Sequence, residues 1–163
     1  MNMPIALTRQ RGVAAVELAL VIIFLLLLVA GIVEFGRAFW YYDALTKATR
    51  DGARMLSVAD RATFTSGTFI GDAKDRVVHT ANAANVKPAL TSSQVSVTCL
   101  DASFNAIGCA SGAGAPANVR VAISGYSITI GGMIPFLSPT GGSPKVYSGV
   151  ALAPQTTMRY MID

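Results

Sequence analysis

"VAAVELALVIIFLLLLVAGIV", residues 13–33, decides how the rest of this chain is read. Its 21 residues carry one charge, Glu17. As a helix the stretch rises about 31 Å, close to the thickness of bilayer hydrocarbon. A helix apolar on every face is buried in a large protein or in a membrane. The chain has only 163 residues, enough for one modest domain. Val13–Val33 is therefore expected to span a membrane.

The wider composition agrees. Charged residues make up 13% and mean hydropathy is +0.50, both unusual for a soluble domain. Arg9 and Arg11 precede the apolar run without an acid, whereas Glu34, Arg37, Asp43 and Lys47 follow it with mixed signs. Positive charge on the short side places the N-terminus in the cytoplasm and everything after Val33 outside the inner membrane. The net charge of +4 does not point to nucleic acid, because the basic residues form no run and no stripe interleaved with aromatics.

Past the run, "EFGRAFWYYDALTKATRDGARMLSV" (34–58) continues without proline. Phe35, Phe39, Trp40, Tyr41 and Tyr42 stand where aromatic rings settle at a bilayer interface. Asp43/Lys47 and Lys47/Asp51 are opposite charges at i,i+4. Tyr41, Leu45, Ala48, Gly52 and Leu56 form an apolar stripe narrowed by small residues. One helix of about 45 residues, half in lipid and half out, is expected.

The polar stretch "DRATFTSGTFIG" (60–71) reads as a connection, and "DAKDRVVHTANAAN" (72–85) as a helix closed by Lys87-Pro88. The period then changes to two. "QVSVTCL" (94–100), "NVRVAISGYSITI" (118–130, with a bulge at Gly125), "KVYSGVAL" (145–152) and "TTMRYMI" (156–162) read as strands. "CLDASFNAIGCASGAGAPAN" (99–118) and "PFLSPTGGSP" (135–144) read as loops. The expected fold is α+β: a long N-terminal helix, a second short helix, and a small antiparallel sheet packed on the outer half of the first. Residues 1–12 form a leader, 13–33 the span, 34–58 its extracytoplasmic continuation, and 59–163 a small α+β domain. Cys99 and Cys109 lie outside the cytoplasm on this topology, and their spacing suits a small-loop disulfide.

Catalytic motifs are scarce. His79 lacks a second metal ligand at useful spacing and reads as a surface or packed residue. "GAGAPA" (112–117) matches a dinucleotide fingerprint only formally, because a cysteine loop precedes it and a strand follows it. No catalytic residue, cofactor or metal is expected.

Glu17 remains. It lies five residues after Gly12. If a peptidase cuts between Gly12 and Val13, the new α-ammonium stands about one helical turn from this carboxylate, at a helix end that favours negative charge. An unpaired carboxylate between bundled helices costs several kcal/mol. Pairing with the amine of a neighbouring subunit removes that cost and sets the axial register.

An arginine, a glycine, four small or apolar residues, a glutamate and an apolar helix resemble the N-terminus of type IV pilins and pseudopilins. "RGVAAVELALVIIFLLLLVAGIVEFGRAFWYYDALTKATRDGARM" (11–55) resembles the TadE family of tight-adherence (Flp) pilus assembly proteins. The resemblance rests on Glu34 to Arg37 and on Ala48, Arg50, Gly52, Ala53 and Arg54. Leu18 stands where phenylalanine or tyrosine is more usual. The resemblance implies a minor pseudopilin of the bacterial inner membrane, cut by a prepilin peptidase, working with other pilins or pseudopilins and without catalytic activity. The alternative is an uncut, single-pass scaffold of the Tad secretion complex.

Overall fold

The computed structural model describes residues 10–60, 67–109, 116–131 and 147–162. Helix α1 runs unbroken from Gln10 to Ser57, 48 residues. Helix α2 covers Thr68–Ala83. The strands are β1 (Val95–Leu100), β2 (Ala106–Ile107), β3 (Asn118–Ile123), β4 (Ser127–Ile130), β5 (Tyr147–Ala151) and β6 (Gln155–Arg159). The fold is α+β, as expected, with every described strand pair antiparallel.

Four details differ from the sequence reading. Helix α2 begins at Thr68, not Asp72, because Phe69 and Ile70 pack against the core. Gly67 precedes it with φ +78°, a left-handed turn that costs glycine little. The sheet is divided into a four-stranded sheet, β2-β1-β3-β6, and a two-stranded one, β4-β5. Gly125 (φ +69°) therefore marks a break between β3 and β4; the bulge lies further on, at Ile128/Thr129 opposite Gly149 (φ +95°). Finally, the cysteine loop contains β2, which pairs Cys99 with Ile107 and Leu100 with Ala106. The "PFLSPTGGSP" loop and most of "GAGAPA" lie outside the described residues.

The core forms where α1, α2 and the larger sheet meet. The expected stripe is there: Tyr41, Leu45, Ala48 and Leu56 of α1 are buried, with Ala73, Val77 and Ala81 of α2 and Val119, Val121 and Ile123 of β3. Gly52 is buried at the same junction, and a Cβ on it would overlap Val77 Cγ2. Absence of a side chain lets the two helices approach. Asn82 ties the end of α2 to the chain entering β1: its Nδ2 donates to Leu90 O at 3.0 Å, and Leu90 N–H donates to its Oδ1 at 2.8 Å. The Tyr126 hydroxyl donates to Pro88 O at 2.8 Å, and its burial pushes its pKa up to about 12.

Strand β6 climbs α1 from Thr156, whose hydroxyl lies 3.0 Å from that of Thr49, to Tyr160, whose hydroxyl donates to Ala59 O at 2.7 Å. Met161 N–H donates to Ser57 O at 2.9 Å, so the C-terminal strand is fastened to the end of α1. Strand β3 runs the opposite way and hands over to β4, which reaches α1 at Arg37. The smaller sheet thus sits nearer the apolar half of α1.

Cys99 and Cys109 are disulfide-bonded, with Cα atoms 5.4 Å apart. Within their loop, Asp101 Oδ1 accepts from the backbone N–H groups of Ser103 and Asn105, each at 2.8 Å. Bonds to Asn105, first from its backbone and then from its side chain, hold the Asp101 carboxyl below the usual carboxylate range. Closing a loop of this length stabilises the folded state by about 2.5–3 kcal/mol on the chain-entropy model. Cys99→Ser is expected to lower domain stability by about that amount while membrane insertion continues. Urea unfolding of the full chain in detergent, with and without reductant, checks this; a midpoint indifferent to reductant would contradict it.

Candidate functional site

Two places on α1 carry features that folding alone does not require. The first is its N-terminal part. From Gly12 to Val29 every residue is exposed, although most are large and apolar. By length and composition this is one helix able to cross a membrane. Glu17 projects from it, sharing a shallow depression with Gly12, Val13, Val16 and Leu20. The two ion pairs among the described residues, Arg37–Glu34 and Lys47–Asp43, do not involve it. A Cβ at Gly12 would meet nothing within 4 Å, so packing within the chain does not call for glycine there.

The second place is the end of the apolar run, where the sequence shows mixed charge and part of the family resemblance but no buried ion pair. Glu34 is 2% exposed. Arg37 Nη2 donates to Glu34 Oε2 at 2.7 Å and to Thr129 O of β4 at 2.6 Å. The guanidinium also lies 5.7 Å from the centroid of the Tyr41 ring, within cation–π range. One arginine thus neutralises a buried carboxylate and fastens the smaller sheet to α1. Removing one member of a buried pair costs about 3–5 kcal/mol, because the other charge stays buried. An opposite-charge i,i+3 pair with a tyrosine one turn on was the available signal; its burial depends on β4, which sequence spacing cannot place.

The aromatic group divides. Tyr41 turns into the core, whereas Phe35, Phe39, Trp40 and Tyr42 stay exposed. Of the two helix-surface ion pairs expected, Asp43–Lys47 forms at 2.7 Å. In the segment from Ala48 to Arg54, Ala48, Gly52 and Ala53 point inward and Arg50 and Arg54 outward.

A shallow groove of about 670 Å³ between α1 and α2 is lined by Asp51, Arg54, Asp72, Asp75, Arg76 and His79 among others. Among the described residues no group of three or more His, Cys, Asp or Glu is placed to hold a metal ion.

The architecture is that of one long helix, whose exposed apolar half is a candidate membrane span, continuous with a small α+β domain. The family model described as TadE-like protein matches residues 12–54, about a quarter of the chain. That segment begins at Gly12, contains both Glu17 and the Glu34–Arg37 pair, and ends at the α1–α2 packing residues. No curated protein and no solved structure matches the chain.

Proposed function

We propose that this chain is a minor pseudopilin of a tight-adherence (Flp) pilus system. A TadE-like match implies a part in Tad pilus assembly. In the finer reading, Val13–Val33 crosses the bacterial inner membrane with the N-terminus cytoplasmic and the domain outside. A prepilin peptidase cuts between Gly12 and Val13, and the matured helix meets other pilins or pseudopilins. The chain itself carries out no chemistry.

The observation that carries this reading is Glu17. It is the lone charge on a bare apolar surface, one turn beyond the start of the family match. A charge at that depth is expensive and marks a partner. The new α-ammonium of a neighbour's Val13 supplies one of opposite sign.

A second reading has its own observation. Helix α1 continues across Gly12–Val13, and a peptidase engages extended backbone, so cleavage requires the first turns to unwind. Uncut, the chain would be a single-pass scaffold of the Tad secretion complex.

Determining the N-terminal residue of the protein isolated from membranes separates the two. Val13 supports the pseudopilin, and retention of residues 1–12 supports the scaffold. Gly12→Leu is expected to abolish cleavage and leave the full-length chain in the membrane. Since a side chain at Gly12 meets nothing within the chain, loss of cleavage would report the peptidase's requirement and not misfolding. Shortening of this variant by 12 residues in the presence of the peptidase would refute the assigned site.

A further inference from the structure

Helix α1 is divided lengthwise at the level where the apolar run ends. On its inner side Ala30 and Glu34 are buried, Ala30 at 5% exposure, so the domain covers this face to a point within Val13–Val33. On its outer side Ile32, Phe35, Phe39 and Tyr42 are exposed, Phe39 at 72%. Their spacings of three and four residues place them on one line along the helix. Between Leu18 and Tyr42 the only charged residues are Glu34 and Arg37. Both are drawn to the inner side and bonded to each other, with Arg37 held to Thr129 O. The outer side therefore carries no charge over this length, a rise of about 36 Å. That exceeds the roughly 30 Å of hydrocarbon but fits within the 40–45 Å that includes the headgroup layers.

We infer that the Ile32–Tyr42 face of α1 is a bilayer-contacting surface, lying in the headgroup and upper acyl region, and that it seats the domain against the membrane on one side of the helix. The inference rests on reading Val13–Val33 as the membrane span. Three observations select lipid as the occupant. The face continues the span without a charged interruption. Its rings are graded to suit, with Phe35 and Phe39, apolar throughout, nearer the acyl chains and Tyr42, amphipathic, at the outer end. The two charges that would oppose immersion are paired and turned away. Charge returns to the outer surface at Asp43 and Lys47, which pair with each other in the open, and there the contact ends.

Trp40 is the only tryptophan, which makes the face directly measurable. Replacing it (Trp40→Phe) gives a background into which single tryptophans are placed by Phe39→Trp, Leu25→Trp or Phe104→Trp. Each full-length protein is reconstituted in phosphatidylcholine–phosphatidylglycerol vesicles. Emission is then titrated with aqueous iodide and with lipids brominated at shallow or deep acyl positions. Leu25 lies in mid-span and Phe104 is exposed in the disulfide loop. Tryptophan at position 39 is expected to lose emission to shallow-brominated lipid and to be shielded from iodide. The position-25 protein should respond to deep-brominated lipid, and the position-104 protein to iodide alone. Iodide quenching at position 39 equal to that at position 104 would overturn the inference, placing the face in water. Shielding from both iodide and bromine would also overturn it, because the face would then be covered by protein, most simply a second copy. If position 25 escapes deep-brominated lipid as well, the span itself is wrong. If position 25 responds and position 39 does not, the span stands and only this inference falls.

Discussion

Gly52→Val is expected to destabilise the α+β domain strongly. Even a Cβ at this position would overlap Val77 Cγ2, and the same atom would lie 3.5 Å from Ala73 O and 3.7 Å from Val121 Cγ1. Two helices and the central strand β3 meet there, so no single side chain can move aside without disturbing another layer. Overpacking a well-filled core by one or two methyl groups costs about 1–3 kcal/mol. Valine adds two methyls beyond the Cβ and is stiff at χ1 in a helix. A loss of about 3 kcal/mol or more is expected, a large part of the 5–15 kcal/mol typical of a domain. Gly52→Ala should be destabilising too, although alanine is the better helix former by about 1 kcal/mol. Gly71 of α2 provides the opposite sign, since a Cβ there meets nothing within 4 Å. Gly71→Ala should stabilise by about 0.5–1 kcal/mol through helix propensity alone. Urea unfolding of the full chain in detergent, followed by Trp40 emission, measures all three. A wild-type midpoint for Gly52→Val would mean that α1 and α2 do not pack as described.

The period of apolar residues carried most of the fold. The three- and four-residue recurrence from Tyr41 to Leu56 became the buried face of α1, and the alternation of Val119, Val121 and Ile123 became the buried face of β3. The cysteine spacing matched the observed disulfide. What escaped was structure whose cause is not local. Between Ile123 and Tyr126 the buried positions step by three instead of two and then resume at Ile128. That phase change is the trace of the break between the two sheets; in the sequence it shows as the defect at Gly125, which reads as a bulge because strand partners are not visible there. Strand β2 has two residues and no pattern to detect. Thr68–Gly71 reads in the sequence as the end of the polar connection 60–71. Its helicity is secured by Phe69 and Ile70 packing on the core, a tertiary effect. The candidate site divides in the same way. Glu17 stands out because one charge in an apolar run is visible in any sequence. The burial of Glu34 is not visible, because the carbonyl that fixes Arg37 comes from Thr129, 92 positions away.

Glu17→Gln is expected to insert, to be cut after Gly12, and then to fail at assembly. Insertion should improve slightly, since removing a charge from a membrane span is favourable. Folding should be unaffected, because Glu17 lies on an exposed stretch of α1 remote from the core and belongs to neither of the described ion pairs. Cleavage should persist if the peptidase reads the backbone at Gly12. The loss falls on the encounter between processed subunits, where the α-ammonium of one Val13 would face an amide in place of a carboxylate. Glutamine keeps the shape and can accept a hydrogen bond, so the difference isolates charge. Leaving one member of a desolvated pair unmatched costs about 3–5 kcal/mol, roughly a 10²- to 4 × 10³-fold weakening of each contact. In a filament that contact is needed whenever this subunit joins, so pilus yield should drop steeply, not in proportion. Sheared filaments and membranes, each probed for this protein and for its N-terminal residue, provide the readout. Normal piliation with cleaved Glu17→Gln would remove the register role and leave the carboxylate as a wetted interfacial residue. Normal cleavage with membrane-retained subunits and absent filaments would place the charge at the step between maturation and assembly.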